Sequence, residues 1–116
     1  MKLNALVDAL NLETVSGESR LNEEVSAGYV SDLMSDVIAH TSEGNIWVTL
    51  QVHVNIVAVA SMKGLAGIIL INGRKPEDKT LEKAKSENIP ILLSGLPAFE
   101  VVGRLYRLGV SGMQDA

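Results

Sequence analysis

Four short polar segments carry the residues of this chain best suited to hold a ligand: Ser31-Asp32, Gln51 to Asn55 with His53 between them, Asn72-Gly73-Arg74, and Ser94-Gly95. Each follows an apolar run that reads as a strand. Between them they offer hydroxyls, amides, an imidazole, a guanidinium and two glycines. That set suits a small anion or a nucleotide phosphate where loops meet helix N-termini. The same residue types also cap helices and make turns, so both readings stand. His53 lies near an expected helix start, where the dipole favours a neutral imidazole able to donate or accept. No carboxylate or serine stands nearby in the sequence to orient it as a base, so a helix-start or interface role suits it as well. His40, near the end of its helix, reads as structural.

Catalytic and metal-binding patterns are missing. The two histidines lie 13 positions apart, with no His-x-x-x-His or Glu-x-x-His spacing, and there is no cysteine. The zinc sets that rely on those spacings or on thiolates are therefore not expected. A paired-carboxylate hydrolase needs two acids at one edge, and only Asp32 is well placed. Lys63-Gly64 reverses the Gly-Lys order of a phosphate-binding loop, and no Gly-x-Gly-x-x-Gly or Gly-x-Ser-x-Gly occurs. The expectation is a non-enzymatic protein without metal or cofactor.

The elements that must position these segments follow from periodicity. Leu3, Leu6, Val7 and Leu10 predict an amphipathic helix over 2–10. Residues 12–16 predict a short strand, 18–24 a loop, and 25–30 a second strand weakened by Ala27 and Gly28. Ser31 then reads as the N-cap of a helix over 32–41, with Asp32 in its first turn and Leu33, Met34, Val37 and Ile38 as the buried stripe. A strand over 46–50, a helix over 53–63 stopped by Gly64, and a continuous apolar strand over 66–71 come next. Asn72-Gly73 makes a turn. Pro76 opens a charged helix reaching Glu87, with Leu81 and Ala84 inward. A strand over 91–93 precedes a last helix, opened by Pro97 and ended by Gly109, in which Phe99, Val102, Leu105 and Tyr106 share a helical spacing. The alternation predicts a three-layer α/β/α fold on a mostly parallel, mixed sheet of about five strands. Residues 1–109 read as one domain and 110–116 as a loose tail.

Composition narrows the partners. The chain has 116 residues, 47% hydrophobic and 21% charged, with a net charge of -4, as ordinary globular domains do. An acidic balance and 3% aromatic content give neither the basic patch nor the stacking platform that nucleic acid requires. Residues 54–71 form an apolar run near bilayer-spanning length. Lys63-Gly64 interrupts it, which favours a buried helix, a turn and a buried strand over a membrane span. The cytoplasm is the expected location. An apolar content this high on a small chain, with central strands needing cover on both faces, points to a homodimer. The face of the last helix bearing Tyr106 and Leu108 is the candidate interface.

The segments 29–36 (Tyr-Val-Ser-Asp-Leu-Met-Ser-Asp), 47–60, 66–73 (Ala-Gly-Ile-Ile-Leu-Ile-Asn-Gly) and 99–106 (Phe-Glu-Val-Val-Gly-Arg-Leu-Tyr) resemble, in order and spacing, the DRTGG domain family. The resemblance covers the chain to Gly109. The stretch that names the family corresponds to residues 22–28, where Asn-Glu-Glu-Val-Ser-Ala-Gly departs from its acidic–basic pair and its Thr-Gly-Gly. The resemblance implies a fold similar to the N-terminal domain of HPr kinase/phosphorylase, without the kinase chemistry, which belongs to a separate P-loop domain. It also implies an accessory regulatory or assembly role, like that of relatives set beside nucleotide-sensing CBS modules in pyrophosphatases or beside phosphotransacetylase domains. A self-associating regulatory or protein-interaction module is the leading expectation. A sensor of a nucleotide or other phosphate metabolite at the strand-end edge is the alternative.

Overall fold

The computed structural model describes residues 1–113. In chain order it forms α1 (Leu3–Leu10), β1 (Glu13–Ser16), a 3-10 turn at Glu18–Arg20, β2 (Gly28–Val30), α2 (Met34–His40), β3 (Ile46–Thr49) and α3 (Asn55–Lys63). There follow β4 (Gly67–Leu70), α4 (Asp78–Glu87), β5 (Ile91–Leu93) and α5 (Ala98–Arg107). The strands make one five-stranded sheet of order β1-β5-β4-β3-β2. β2 to β5 pair in parallel, and β1 joins the far edge antiparallel to β5. This is the expected α/β fold with a mixed sheet.

Alternation along the strands sorts the core into two layers. Ile46, Val48, Ile69 and Leu92 meet Leu3 and Leu6 of α1 and Val101 and Leu105 of α5 on one face. Trp47, Ile68, Leu70 and Ile91 meet Val37, Ile56, Val57, Ala60 and Ala84 of α2, α3 and α4 on the other. β3 and β4 are buried at every position because neither face is wet. The apolar run over 54–71 folds back on itself as expected. Gly64 takes a left-handed φ of 64° and caps α3, while the Leu65 N–H donates to the Ala60 carbonyl. Among the described residues no helix is long and apolar enough to cross a membrane.

Several element ends depart from the sequence expectations, each for a local reason. β2 is only three residues long, since the preceding segment is bonded elsewhere: the Val25 N–H donates to Met1 and the Ser26 N–H to Gly44. α2 begins at Met34, with Leu33 at its cap. The Ser31 hydroxyl accepts only from the Leu33 N–H, and Asp36, not Asp32, is the acid of the first turn. Of the expected stripe only Val37 is buried; Leu33 is 64% and Ile38 39% exposed. α3 starts two residues later than the periodicity indicates. Glu77 occupies the α4 cap, leaving Pro76 outside that helix, and Thr80 is buried where Leu81 is only half-buried. The Thr80 hydroxyl donates to the Val52 carbonyl at 2.7 Å, which satisfies its polar atom there.

The last helix shows the largest reversal. Val101 and Leu105 form its inward face, while Phe99 is 91% exposed. Residues 110–113 do not hang loose as expected. Val110 is buried in the α1/α5 layer, and the Gly28 N–H donates to the Ser111 carbonyl at 2.8 Å. The end of the expected tail, 114–116, lies outside the described residues.

Candidate functional site

Parallel strands end at one edge, so the four polar segments align along it. There the protein consumes most of their polar atoms itself. Asp32 Oδ1 accepts from the Thr49 hydroxyl at 2.8 Å and from the Leu50 N–H at 2.7 Å. Gln51 Nε2 donates to the Asp32 carbonyl, and Trp47 Nε1 donates to the Ser31 carbonyl. Ser31, Asp32 and Gln51 thus stitch the β2–α2 connection onto the end of β3. Asn72 and Gly73 take left-handed φ of 57° and 69°. That turn aims their N–H groups at the Leu96 and Ser94 carbonyls, while the Ser94 hydroxyl accepts from the Leu96 N–H. Asn72, Gly73 and Ser94 thereby join β4 to β5.

What remains open at this edge is His53, Asn55, Arg74 and Gly95, all exposed. The fold supplies His53 with a carboxylate that its sequence neighbourhood lacks: Glu77 Oε2 lies 3.4 Å from its Nδ1. The Glu77 N–H donates to Val52, which anchors that approach. Among the described residues Arg74 and Asn55 have no side-chain partner, and no group of three or more His, Asp or Glu gathers as for a metal ion.

A second polar cluster went unsignalled in the sequence. The Tyr29 hydroxyl lies 2.9 Å from both carboxylate oxygens of Asp36, and His40 Nδ1 lies 2.9 Å from Asp36 Oδ1. The Tyr29 and His40 rings stack with centroids 6.1 Å apart. Hydrogen bonds from Ser31 and Tyr29, with a smaller contribution from His40, hold the Asp36 carboxyl below the usual carboxylate range. The carboxylate in turn raises the Tyr29 phenol above its ordinary value. The helical spacing of Asp36 and His40 was visible in the sequence; the approach of Tyr29 from β2 was not. This clasp fastens α2, which has little buried apolar surface, to the edge strand.

An apolar concave surface lies on the flank formed by β2, α5 and the segment after α5. A cavity of about 290 Å³ opens there, walled by Gly28, Val30, Val48, Val102, Tyr106 and Val110 among others. Beside it a shallower groove shares Val30 and Val102 and runs past Phe99. Phe99, Tyr106 (57% exposed) and Val30 (47% exposed) leave an apolar rim around these hollows. Of the two residues expected at an interface, Tyr106 borders the cavity. Leu108 is half-buried and packs at the edge of the α1/α5 core. Two residues along a helix are about 200° apart at 3.6 residues per turn, so the pair does not share one face.

Comparison with known proteins agrees with this architecture. The structure superposes with a TM-score of 0.67 on the CBS and DRTGG domains of the regulatory region of Clostridium perfringens pyrophosphatase, which was solved with its activator, diadenosine tetraphosphate. The two share 20% sequence identity, over 97% of this chain and 47% of that one, so this chain spans about half the length of its structural neighbour. No curated protein matches the sequence. The DRTGG domain pattern matches residues 5–108, from within α1 to the end of α5. With nearly every element inside that match, the chain belongs to the DRTGG domain family.

Proposed function

We propose that this chain is a non-catalytic regulatory module that self-associates through the flank of β2 and α5. The observation that carries the reading is a knob and a hollow on one surface: Phe99, 91% exposed, stands beside the apolar cavity bordered by Val30, Val102 and Tyr106. A twofold interface uses the same patch on both copies, so a patch holding both shapes can complement itself. An aromatic ring this exposed costs solubility unless a partner covers it, and aromatic anchors dominate interface energies. The regulatory part of the reading draws on the family and on the neighbour, whose described role is regulation of a pyrophosphatase.

Light scattering tests it. The wild-type chain should show twice its 12.4 kDa mass, and Phe99→Glu should show a single mass with unchanged circular dichroism. A monomeric wild type sinks the reading. A dimeric Phe99→Glu moves the interface off this flank.

A second reading, a sensor of a phosphate-bearing ligand at the strand-end edge, is favoured by Arg74, which is exposed and whose side chain has no protein partner among the described residues. The neighbour's nucleotide activator lends it support. A thermal-shift screen with nucleotides checks it, since a ligand at 100-fold excess over its Kd adds about 2.7 kcal/mol. Loss of that shift in Arg74→Ala is the expected result, and a shift indifferent to Arg74 counts against the site.

A further inference from the structure

The cavity between β2, α5 and the segment after it has a polar feature that self-association does not need. β2 is an edge strand, and its register decides where its backbone groups point. The Ile46 N–H donates to the Ala27 carbonyl and the Ser31 N–H donates to the Val48 carbonyl, so residues 27, 29 and 31 bond inward to β3. Residues 28 and 30 therefore point outward, since successive residues of a strand alternate. The Gly28 N–H uses that outer side to reach the Ser111 carbonyl. One residue further along, the Val30 N–H and C=O lie on the same outer side, and among the described residues neither has a backbone partner there. Gly28, Val30, Ser111 and Gly112 all line the cavity.

We propose that this cavity binds a nucleobase, with the outer backbone edge of Val30 reading its hydrogen-bonding edge. Three observations point to that class of ligand. A volume of about 290 Å³ falls at the lower end for small-molecule sites, which span roughly 300–1,000 Å³, and suits a ring system better than a whole dinucleotide. The walls Val48, Val102, Leu105 and Val110 are aliphatic, and Tyr106 adds an aromatic face at the rim; a flat π-system stacks on such surfaces. The polar edge is short: beside the Gly28 N–H taken by Ser111, the Gly28 and Val30 carbonyls flank the Val30 N–H. It offers a donor beside an acceptor, which matches the adjacent acceptor and donor of a base edge. A peptide strand, which needs several residues of free edge to pair, has no room because Ser111 already occupies Gly28.

The site needs only one chain, but it shares its hollow with the proposed interface, so a bound base and a partner's Phe99 would compete for it. The test titrates adenosine, guanosine, cytidine and uridine, with indole as a purely apolar ring, into the ¹⁵N-labelled wild type, Val102→Trp, Val30→Pro and Phe99→Glu. Val102→Trp fills the cavity. Val30→Pro removes the outward N–H without breaking the ladder to β3, a substitution that edge strands accommodate. At least one nucleoside should bind and move the Val30 amide most. Affinity should fall at least tenfold in both Val102→Trp and Val30→Pro and persist in Phe99→Glu. Absence of binding by all four nucleosides overturns the proposal. So does indole binding as tightly as the best nucleoside with Val30→Pro indifferent, which would mark an unselective apolar hollow. Nucleoside binding intact in a monomeric Phe99→Glu shows that one chain holds the base whether or not copies associate, and loss of binding in that monomer overturns the proposal.

Discussion

The strand-end edge and the β2/α5 flank of this protein invert each other. The edge is rich in hydroxyls, amides and a carboxylate, yet Asp32, Ser94 and Gln51 are spent on the protein's own backbone. The flank is built of valines and aromatic rings of the kind that normally fill a core, yet Phe99 and Tyr106 are exposed around a cavity. Polarity in a loop therefore marks a functional surface only after the loop's own hydrogen bonds are counted, because backbone groups at strand ends and turns must find partners. An exposed aromatic ring has no such internal claim on it. That asymmetry is why the flank, and not the edge, carries the proposed interaction.

The largest expected effect separates the two regions by association. Phe99→Glu should weaken the dimer at least 100-fold, about 2.8 kcal/mol at 1.4 kcal/mol per tenfold, in sedimentation equilibrium. At protein concentrations below the dimer Kd its denaturation midpoint should match the wild type's, since that ring touches water in the single chain. Asp32→Ala should do the reverse. Losing the acceptor of the Thr49 and Leu50 hydrogen bonds should cost about 2 kcal/mol of stability by urea titration, with the dimer constant unmoved. Asp32→Asn, which keeps one carbonyl acceptor, should recover part of that loss. Equal behaviour of Phe99→Glu and Asp32→Ala in both assays would erase the contrast between edge and flank.

A smaller effect concerns the clasp that borders both regions. Asp36 titrates below its ordinary range, so its contribution is complete above the unfolded carboxylate value and is lost as pH falls through the depressed one. The Tyr29 phenol is raised, so its contribution is complete below the unfolded phenol value and is lost as pH rises through the raised one. Stability should therefore hold between about pH 4 and pH 10 and decline beyond each end. Tyr29→Phe should remove the alkaline decline and reduce the acid one. An unchanged alkaline arm in that variant would show that Tyr29 does not hold α2 to β2.

Much of the fold was legible because its signals are local. The apolar runs over 46–50 and 66–71 could be satisfied only by burial on both faces, and Gly64 could be read as a left-handed stop from its place after Lys63. The stripes of α2 and α5 were misread because spacing tells which residues share a helix face and not whether another element covers that face. Leu33 and Phe99 lie on faces that no neighbouring element of the described chain closes. The candidate site suffered from a different limit. Convergence of the four segments followed from parallel strands, but their internal hydrogen bonds join residues far apart in sequence. Asp32 and Thr49, and His53 and Glu77, meet only after the sheet forms, while Tyr29 reaches Asp36 once α2 packs beside β2. No local pattern carries those pairings.

The most direct measurement of the central claim is the concentration dependence of amide and methyl spectra of the wild-type chain. Raising the concentration across the association range should shift or broaden Val30, Phe99, Val102 and Tyr106 together, and leave His53, Asn55, Arg74 and Gly95 in place. A response centred on those strand-end residues, or spectra that do not change at any concentration, would contradict the account.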